Sequence, residues 1–237
     1  MFSRARTNPS AGAVLLDAMG TLVTFAPPAP RLAAGLREAL GVEVAEADAA
    51  RAVRAEIAYY RAHLHEGADA GGLARVRLAC ARVVRDELGL EVPAEAVVAP
   101  LLDSIVFVAY PDAAPALRAL RAAGRRLVVA SNWDVSLHEA LDRTGLAPLL
   151  DGAVASAEIG SAKPAGAIFA RALELAGEEA AGSWHAGDSL AEDVEGAMRA
   201  GLRPVLVDRA GRGGAPAGVP VIASLAALPA LAGAPGP

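Results

Sequence analysis

The 237-residue chain contains no glutamine, two asparagines, one cysteine and one lysine. The single cysteine, Cys80, excludes an intramolecular disulfide; it suits a reducing compartment such as the cytoplasm and reads as a small apolar filler. No apolar run approaches the roughly 18 residues of a membrane-spanning helix, so no membrane span is expected. The basic segment at the start of the chain does not lead into a secretory apolar stretch, because the short run from Val14 to Leu16 ends at Asp17. A net charge of −5 and a pI near 5.4 lack the basic excess of a nucleic-acid-binding face. What the chain has instead is apolar material: 54% hydrophobic residues against 21% charged ones, enough for one sizeable core or a core plus a small second unit.

The lysine shortage is itself informative. Of 22 basic residues, 21 are arginine and the exception is Lys163. A compact ammonium differs from a planar guanidinium in size and hydration, so Lys163 marks a position that arginine does not fit. The plainer alternative is a lysine left on a solvated face.

Short apolar runs at 13–17, 126–131, 152–156, 183–188, 203–208 and 219–222 read as buried strands. Amphipathic stretches at 113–123, 136–144, 165–175 and 191–200 read as helices stopping at Gly124, Gly145, Gly177 and Gly201. This alternation implies βαβ units and a mostly parallel sheet. Residues 27–108 break the rhythm. They lack strand patterning, read as helices over 31–40, 46–65, 72–88 and 94–107, and lie between proline-containing joints. The expected architecture is therefore α/β: a Rossmann-like parallel-sheet core (1–26 and 109–237) with an inserted all-helical cap (27–108), placed to hang over the carboxyl edge of the sheet as a lid.

At that edge the strand ends collect chemistry. The first strand ends in Asp17, followed by Met19, Gly20 and Thr21. The second ends in Ser131-Asn132, Lys163 follows the third, and the fourth ends in Gly187-Asp188-Ser189 with Asp193 five residues past Asp188. An aspartate can attack an electrophile and form a covalent intermediate. A tetrahedral anion suits a hydroxyl, backbone N–H groups and an ammonium. Asp188 beside Asp17 crowds negative charge, which Mg²⁺ offsets using carboxylates, waters and substrate oxygens. Asp193 is expected to hold Lys163 or a metal-bound water.

The order "DAMGTL" (17–22), "ASN" (130–132), "AKP" (162–164) and "GDSLAED" (187–193) resembles the four motifs of the haloacid dehalogenase superfamily, best known for Mg²⁺-dependent phosphatases. The resemblance runs over nearly the whole chain from residue 13, including "VIASLAALPAL" (221–231), and 27–108 looks like that family's helical cap of the first subclass. It implies Asp17 as nucleophile, Asp17, the Met19 carbonyl and Asp188 as Mg²⁺ ligands, and Thr21, Ser131, Asn132 and Lys163 as holders of a small phosphorylated substrate. Asp193 takes a supporting role. Monomer and homodimer are both compatible with it.

One departure decides the chemistry. In the family's phosphatases the position of Met19 is a second aspartate that protonates the leaving oxygen and then activates water. Its loss implies one of three outcomes: a phosphatase for leaving groups that need little help, a 2-haloacid dehalogenase-like enzyme whose halide needs no proton, or a phosphate- or partner-binding protein without turnover. An intact "GDS…D" favours Mg²⁺ and phosphate. "SNWD" (131–134) brings Asp134 forward as a substitute proton carrier, against the plainer role of helix N-cap. Tyr59, His63, His65 and Glu66 read as cap packing or substrate lining; Arg75, Arg77 and Arg82 read as a solvated face or as contacts to an anionic substrate. His185, inside a strand, reads as a satisfied core histidine.

Overall fold

The computed structural model describes residues 12–233; most of the basic N-terminal segment lies outside them. Eight strands are present among these: β1 (Ala13–Leu16), β2 (Val23–Phe25), β3 (Phe107–Ala109), β4 (Arg126–Ser131), β5 (Gly152–Ala155), β6 (Trp184–Gly187), β7 (Arg203–Val207) and β8 (Val221–Ile222). Six of them form one parallel sheet in the order β5-β4-β1-β6-β7-β8. The helices are α1 (Pro28–Leu40), α2 (Glu46–His63), α3 (Ala70–Leu88), α4 (Ala94–Ser104), α5 (Ala113–Ala122), α6 (Leu137–Arg143), α7 (Ser156–Ile159), α8 (Gly166–Ala176), α9 (Glu195–Arg199) and α10 (Leu228–Ala232). Among the described residues no helix is long and apolar enough to cross a membrane.

All four residues of β1 are fully buried, as expected of a central parallel strand covered on both faces. The two-residue period of the strand divides them. Val14 and Leu16 join Val129, Leu117 and Leu137 on the face covered by α5, α6 and α10. Leu15 joins Val128, Ile168, Phe169 and Ala172 on the face covered by α8. From β1 the chain builds outward in both directions, through β4 on one side and β6 on the other. The carboxyl end of β1 therefore sits at the point where strand order reverses, where open α/β sheets form their ligand crevice.

Helices α1–α4 pack around an apolar cluster of their own, centred on Leu32, Leu36, Val53, Val76, Val84, Val97 and Leu101. Two short strands carry the chain out to these helices and back. β2 and β3 pair antiparallel, with Val23 opposite Ala109 and Phe25 opposite Phe107. The sequence pattern does not reveal them, because three residues are too few to show alternation. The helix expected over 94–107 consequently ends early. It stops at Ser104, whose hydroxyl donates to the Leu101 carbonyl (2.6 Å), and Phe107 belongs to β3. The helix expected over 191–200 begins with a π-helical turn, Leu190–Val194, and becomes α-helical only at Glu195.

The four-helix unit touches the sheet layer at a close seam. Tyr60 on α2 donates its phenol hydrogen to Asp134 Oδ2 (2.9 Å), and the Val135 N–H donates to the Gly67 carbonyl (3.0 Å). A Cβ on Gly67 would lie 2.6 Å from Asp134 Cβ, well inside van der Waals contact. Gly67→Ala must therefore push the two layers apart or distort both hydrogen bonds. Overpacking of this kind costs about 1–3 kcal/mol, which at this chain length lowers the thermal midpoint by roughly 2–4 °C per kcal/mol. Differential scanning calorimetry of the variant checks it.

Candidate active site

β1 delivers Asp17 into the crevice. Its N–H continues the ladder to the Ala186 carbonyl (2.9 Å), which fixes the backbone one residue beyond the strand. The next turn is tight: the Ala18 carbonyl accepts the N–H groups of Thr21, Leu22 and Val23. Gly20 there has φ +77°, and a Cβ on it would lie 2.4 Å from Asp188 Oδ2. Only glycine allows Asp188, at the end of β6, to come this close.

Around Asp17 the strand ends converge as the motif spacing implies. Ser131, last in β4, donates to Asp17 Oδ1 (3.0 Å). The Lys163 ammonium donates to the same Oδ1 and to Asp193 Oδ1, each at 2.6 Å. Asp193 is returned to the site by the π-turn, its Oδ2 accepting the Ser189 N–H (3.0 Å). Asn132 does not reach into space for a ligand. Its amide grips the backbone of Lys163 at both ends, donating to the carbonyl (3.0 Å) and accepting from the N–H (2.7 Å). The Lys163 side chain is fully buried, with two carboxylates at hydrogen-bond distance, and is not the lysine on a solvated face.

Asp17, Asp188 and Asp193 each bring a carboxylate oxygen within 4.8 Å of the others. Burial pushes the Asp17 carboxyl up to about 7, against the pull of the Lys163 ammonium and with the further push of Asp193 and Asp188. Burial opposes the charge on Lys163, but Asp17 and Asp193 outweigh it and keep the ammonium protonated. Asp193, although buried, is held well below the usual carboxylate range by Lys163 and His185. Asp188 is half-buried and raised, first by burial and then by Asp193. Two groups are left open for a cation. Asp17 Oδ2 carries no hydrogen bond among the described residues, and the one ion pair of Asp188 among them is a long contact to the Arg212 guanidinium, at 3.7 Å.

The site opens into a cleft of about 1010 Å³ lined from below by Asp17, Met19, Ser131, Asn132, Asp188 and Asp193, and from above by residues of the four-helix unit including Glu56, Tyr60, Arg61, His65 and Arg77. Met19 lines this cleft and offers no titratable group there. Thr21 and Lys163 do not line it; Thr21 is fully buried, its hydroxyl without a hydrogen-bond partner and its carbonyl accepting from Arg209 (2.8 Å). Asp134 does line the cleft, but both its oxygens are engaged, by Tyr60 and by the Ser136 N–H (2.7 Å). Arg75 and Arg82 are exposed and outside it, and Tyr59 stacks on His63 at 3.9 Å between ring centroids.

His185, expected to be a satisfied core histidine, is fully buried and spends its hydrogen bond on the site. Its Nε2–H donates to Asp193 Oδ1 (2.8 Å), and burial holds the imidazole neutral, so it orients Asp193 without adding a charge. Spacing could have found it: eight residues before Asp193, on the strand that ends at Asp188. Glu56, Tyr60 and Ser104 carried no motif and were invisible until the fold set them around one cleft.

Known proteins are similar to this chain in sequence or in fold. Over 91 residues, 38% of this chain, the sequence is 40% identical to haloacid dehalogenase-like hydrolase domain-containing protein 3 from Bos taurus. It is 38% identical over 101 residues, 42% of this chain, to glyceraldehyde 3-phosphate phosphatase from Methanopyrus kandleri. These matches cover only 36% and 43% of the two relatives. The fold also matches L-2-haloacid dehalogenase from Xanthobacter autotrophicus with a TM-score of 0.68, at 22% identity over 93% of this chain and 97% of that one. A family model for haloacid dehalogenase-like hydrolases matches residues 11–201, and with its motif residues gathered at one strand edge, the chain belongs to that family.

Proposed function

We propose that the protein is a Mg²⁺-dependent cytoplasmic phosphatase of small phosphorylated metabolites, working through a covalent phospho-Asp17 intermediate beneath a cap formed by residues 27–108. The observation that carries this reading is charge. Three carboxylates crowd a single ammonium, so a phosphoryl group beside Asp17 meets negative charge that a bound cation would offset. Oxygen donors suit Mg²⁺: Asp17 Oδ2, the Asp188 carboxylate, and the Met19 carbonyl, which accepts no hydrogen bond from a described residue. Bound there, Mg²⁺ neutralises the crowded charge and polarises the phosphoryl group.

The chain's own residues do the rest. Lys163 and Ser131 hold Asp17 through Oδ1, fixing the carboxylate that attacks phosphorus. The bond from phosphorus to the leaving oxygen breaks. With a methionine at 19, that oxygen takes its proton from water rather than from the protein. A second water then attacks the phosphorus, releasing inorganic phosphate and the Asp17 carboxylate. Leaving groups that need no proton, acyl and aryl phosphates, are therefore the favoured substrates.

Met19 by itself also suits a dehalogenase, since halide leaves without a proton. A 2-haloacid, however, brings its own carboxylate into the same uncompensated field. The test is product release from acetyl phosphate, 4-nitrophenyl phosphate and 2-chloropropionate, with Mg²⁺ and with EDTA. Mg²⁺-dependent phosphate release that disappears in Asp17→Asn is the expected result. Halide release in EDTA would replace the phosphatase reading with the dehalogenase one.

A further inference from the structure

Glu56 is out of place in its surroundings. It sits on α2, 5% exposed, beside Val53 and Leu101 of the four-helix core, and it lines the upper end of the cleft. No cation pairs with it among the described residues; the Cys80 thiol donates one hydrogen bond to it, and burial pushes its carboxyl above the usual range against that contact, leaving acceptor positions on the carboxylate open. A buried carboxylate without a counter-charge weakens the fold unless something hydrogen-bonds to it.

Its neighbours at that end of the cleft share one property: their donors are already used. The Tyr60 phenol donates to Asp134, and the Ser104 hydroxyl donates to the Leu101 carbonyl. Both oxygens keep accepting capacity, as does the Glu56 carboxylate. A ligand that fills this end must therefore bring hydrogen-bond donors. Arg61 and Arg77 line the same cleft and disfavour an ammonium, which leaves hydroxyl groups.

We propose that Glu56, with Tyr60 and Ser104, forms a distal substrate subsite that selects phosphate esters carrying hydroxyl groups on the end remote from phosphorus. This rests on the phosphatase reading, which places the phosphoryl group at Asp17. A site built to hydrogen-bond a hydroxyl rejects the analogue lacking it, because its own buried acceptors are left unpaired.

Glycerol 1-phosphate and propyl phosphate, which differ only in hydroxyl groups, test it in two ways. Calorimetric titration on an Asp17→Asn background measures binding without turnover, and phosphate release by the otherwise unaltered enzyme measures kcat/KM. Glycerol 1-phosphate is expected to be favoured at least about tenfold in both. Glu56→Leu is expected to bring the ratio to near one; Glu56→Gln, whose amide still accepts, is expected to keep most of it. The thermal midpoint of Glu56→Leu should not fall, since a buried carboxylate without a counter-charge is removed, so lost selectivity is not lost folding. An unchanged ratio in Glu56→Leu, no preference in the parent protein, or no binding of glycerol 1-phosphate overturns the subsite. So does preferred binding of 2-aminoethyl phosphate, which would make the ligand a cation. A Glu56-dependent preference in titration with no phosphate release from glycerol 1-phosphate, propyl phosphate, 4-nitrophenyl phosphate or acetyl phosphate would instead overturn the phosphatase reading and leave the subsite standing.

Discussion

Met19→Asp is expected to raise the rate of phosphate release from alkyl phosphomonoesters by about 10²–10⁴-fold, the usual worth of a positioned general acid/base. The loop that carries residue 19 is held by backbone hydrogen bonds from Thr21, Leu22 and Val23 to Ala18, none of which involves the Met19 side chain. The exchange therefore leaves the turn, and the carbonyl it presents, in place. Met19 is partly buried against the main core, so some packing is lost, but the new carboxyl faces a cleft already lined by polar groups. The gain should depend on the leaving group. An alkoxide needs the proton and an acyl phosphate does not, so acetyl phosphate turnover should rise far less than glycerol phosphate turnover. Steady-state kinetics on the two substrates, with Asp17→Asn/Met19→Asp as the control, gives the answer. A gain confined to the alkyl ester and dependent on Asp17 identifies the missing proton as the defect. No gain on either ester would mean that residue 19 does not face a leaving oxygen, and the proposed geometry of attack would fail with it.

Much of this site was legible in the sequence because catalysis at a parallel-sheet edge leaves a linear trace. At three strands the residue that closes the apolar run, last in the strand or one past it, lines the crevice, and Asp17, Ser131 and Asp188 were found in this way. Lys163 was found by a different trace, composition. What stayed hidden has physical causes. The β2–β3 pair is too short to show a period. The role of Asn132 as a clamp on the Lys163 backbone depends on two loops meeting across 31 residues. Thr21 carries the right hydroxyl at the right spacing, yet the turn at Ala18 directs it into the interior and not into the cleft. Periodicity found the helices of 28–104 but said nothing about the face that meets the sheet, because Tyr60, Glu56 and Gly67 gain their meaning only from the residues opposite them.

Lys163 carries the second large expected effect. Lys163→Met removes the only ammonium between Asp17 and Asp193 and leaves two buried carboxylates uncompensated, a loss of about 3–5 kcal/mol by the measure of broken buried pairs. The loss should depend on pH with a definite sign. Asp193 has its pKa lowered by Lys163 and His185, so its contribution to stability is present above the unfolded carboxylate range and fades as pH falls through its depressed value. Asp17, raised to about 7, destabilises the fold increasingly as pH climbs from about 4 to 7. Without the ammonium both carboxyls shift upward. The deficit of Lys163→Met should therefore be largest at pH 8 and shrink toward pH 4, where both can be neutral. Added Mg²⁺ should restore part of it by supplying positive charge at Asp17. Lys163→Arg tests size separately from charge: it keeps the cation but forces a planar fork into a fully buried slot shaped for one nitrogen. Urea unfolding of both variants at several pH values reads these effects. A Lys163→Arg protein as stable and active as the parent would mean that the slot admits guanidinium, and the survival of one lysine among 21 arginines would then owe nothing to the shape of this site.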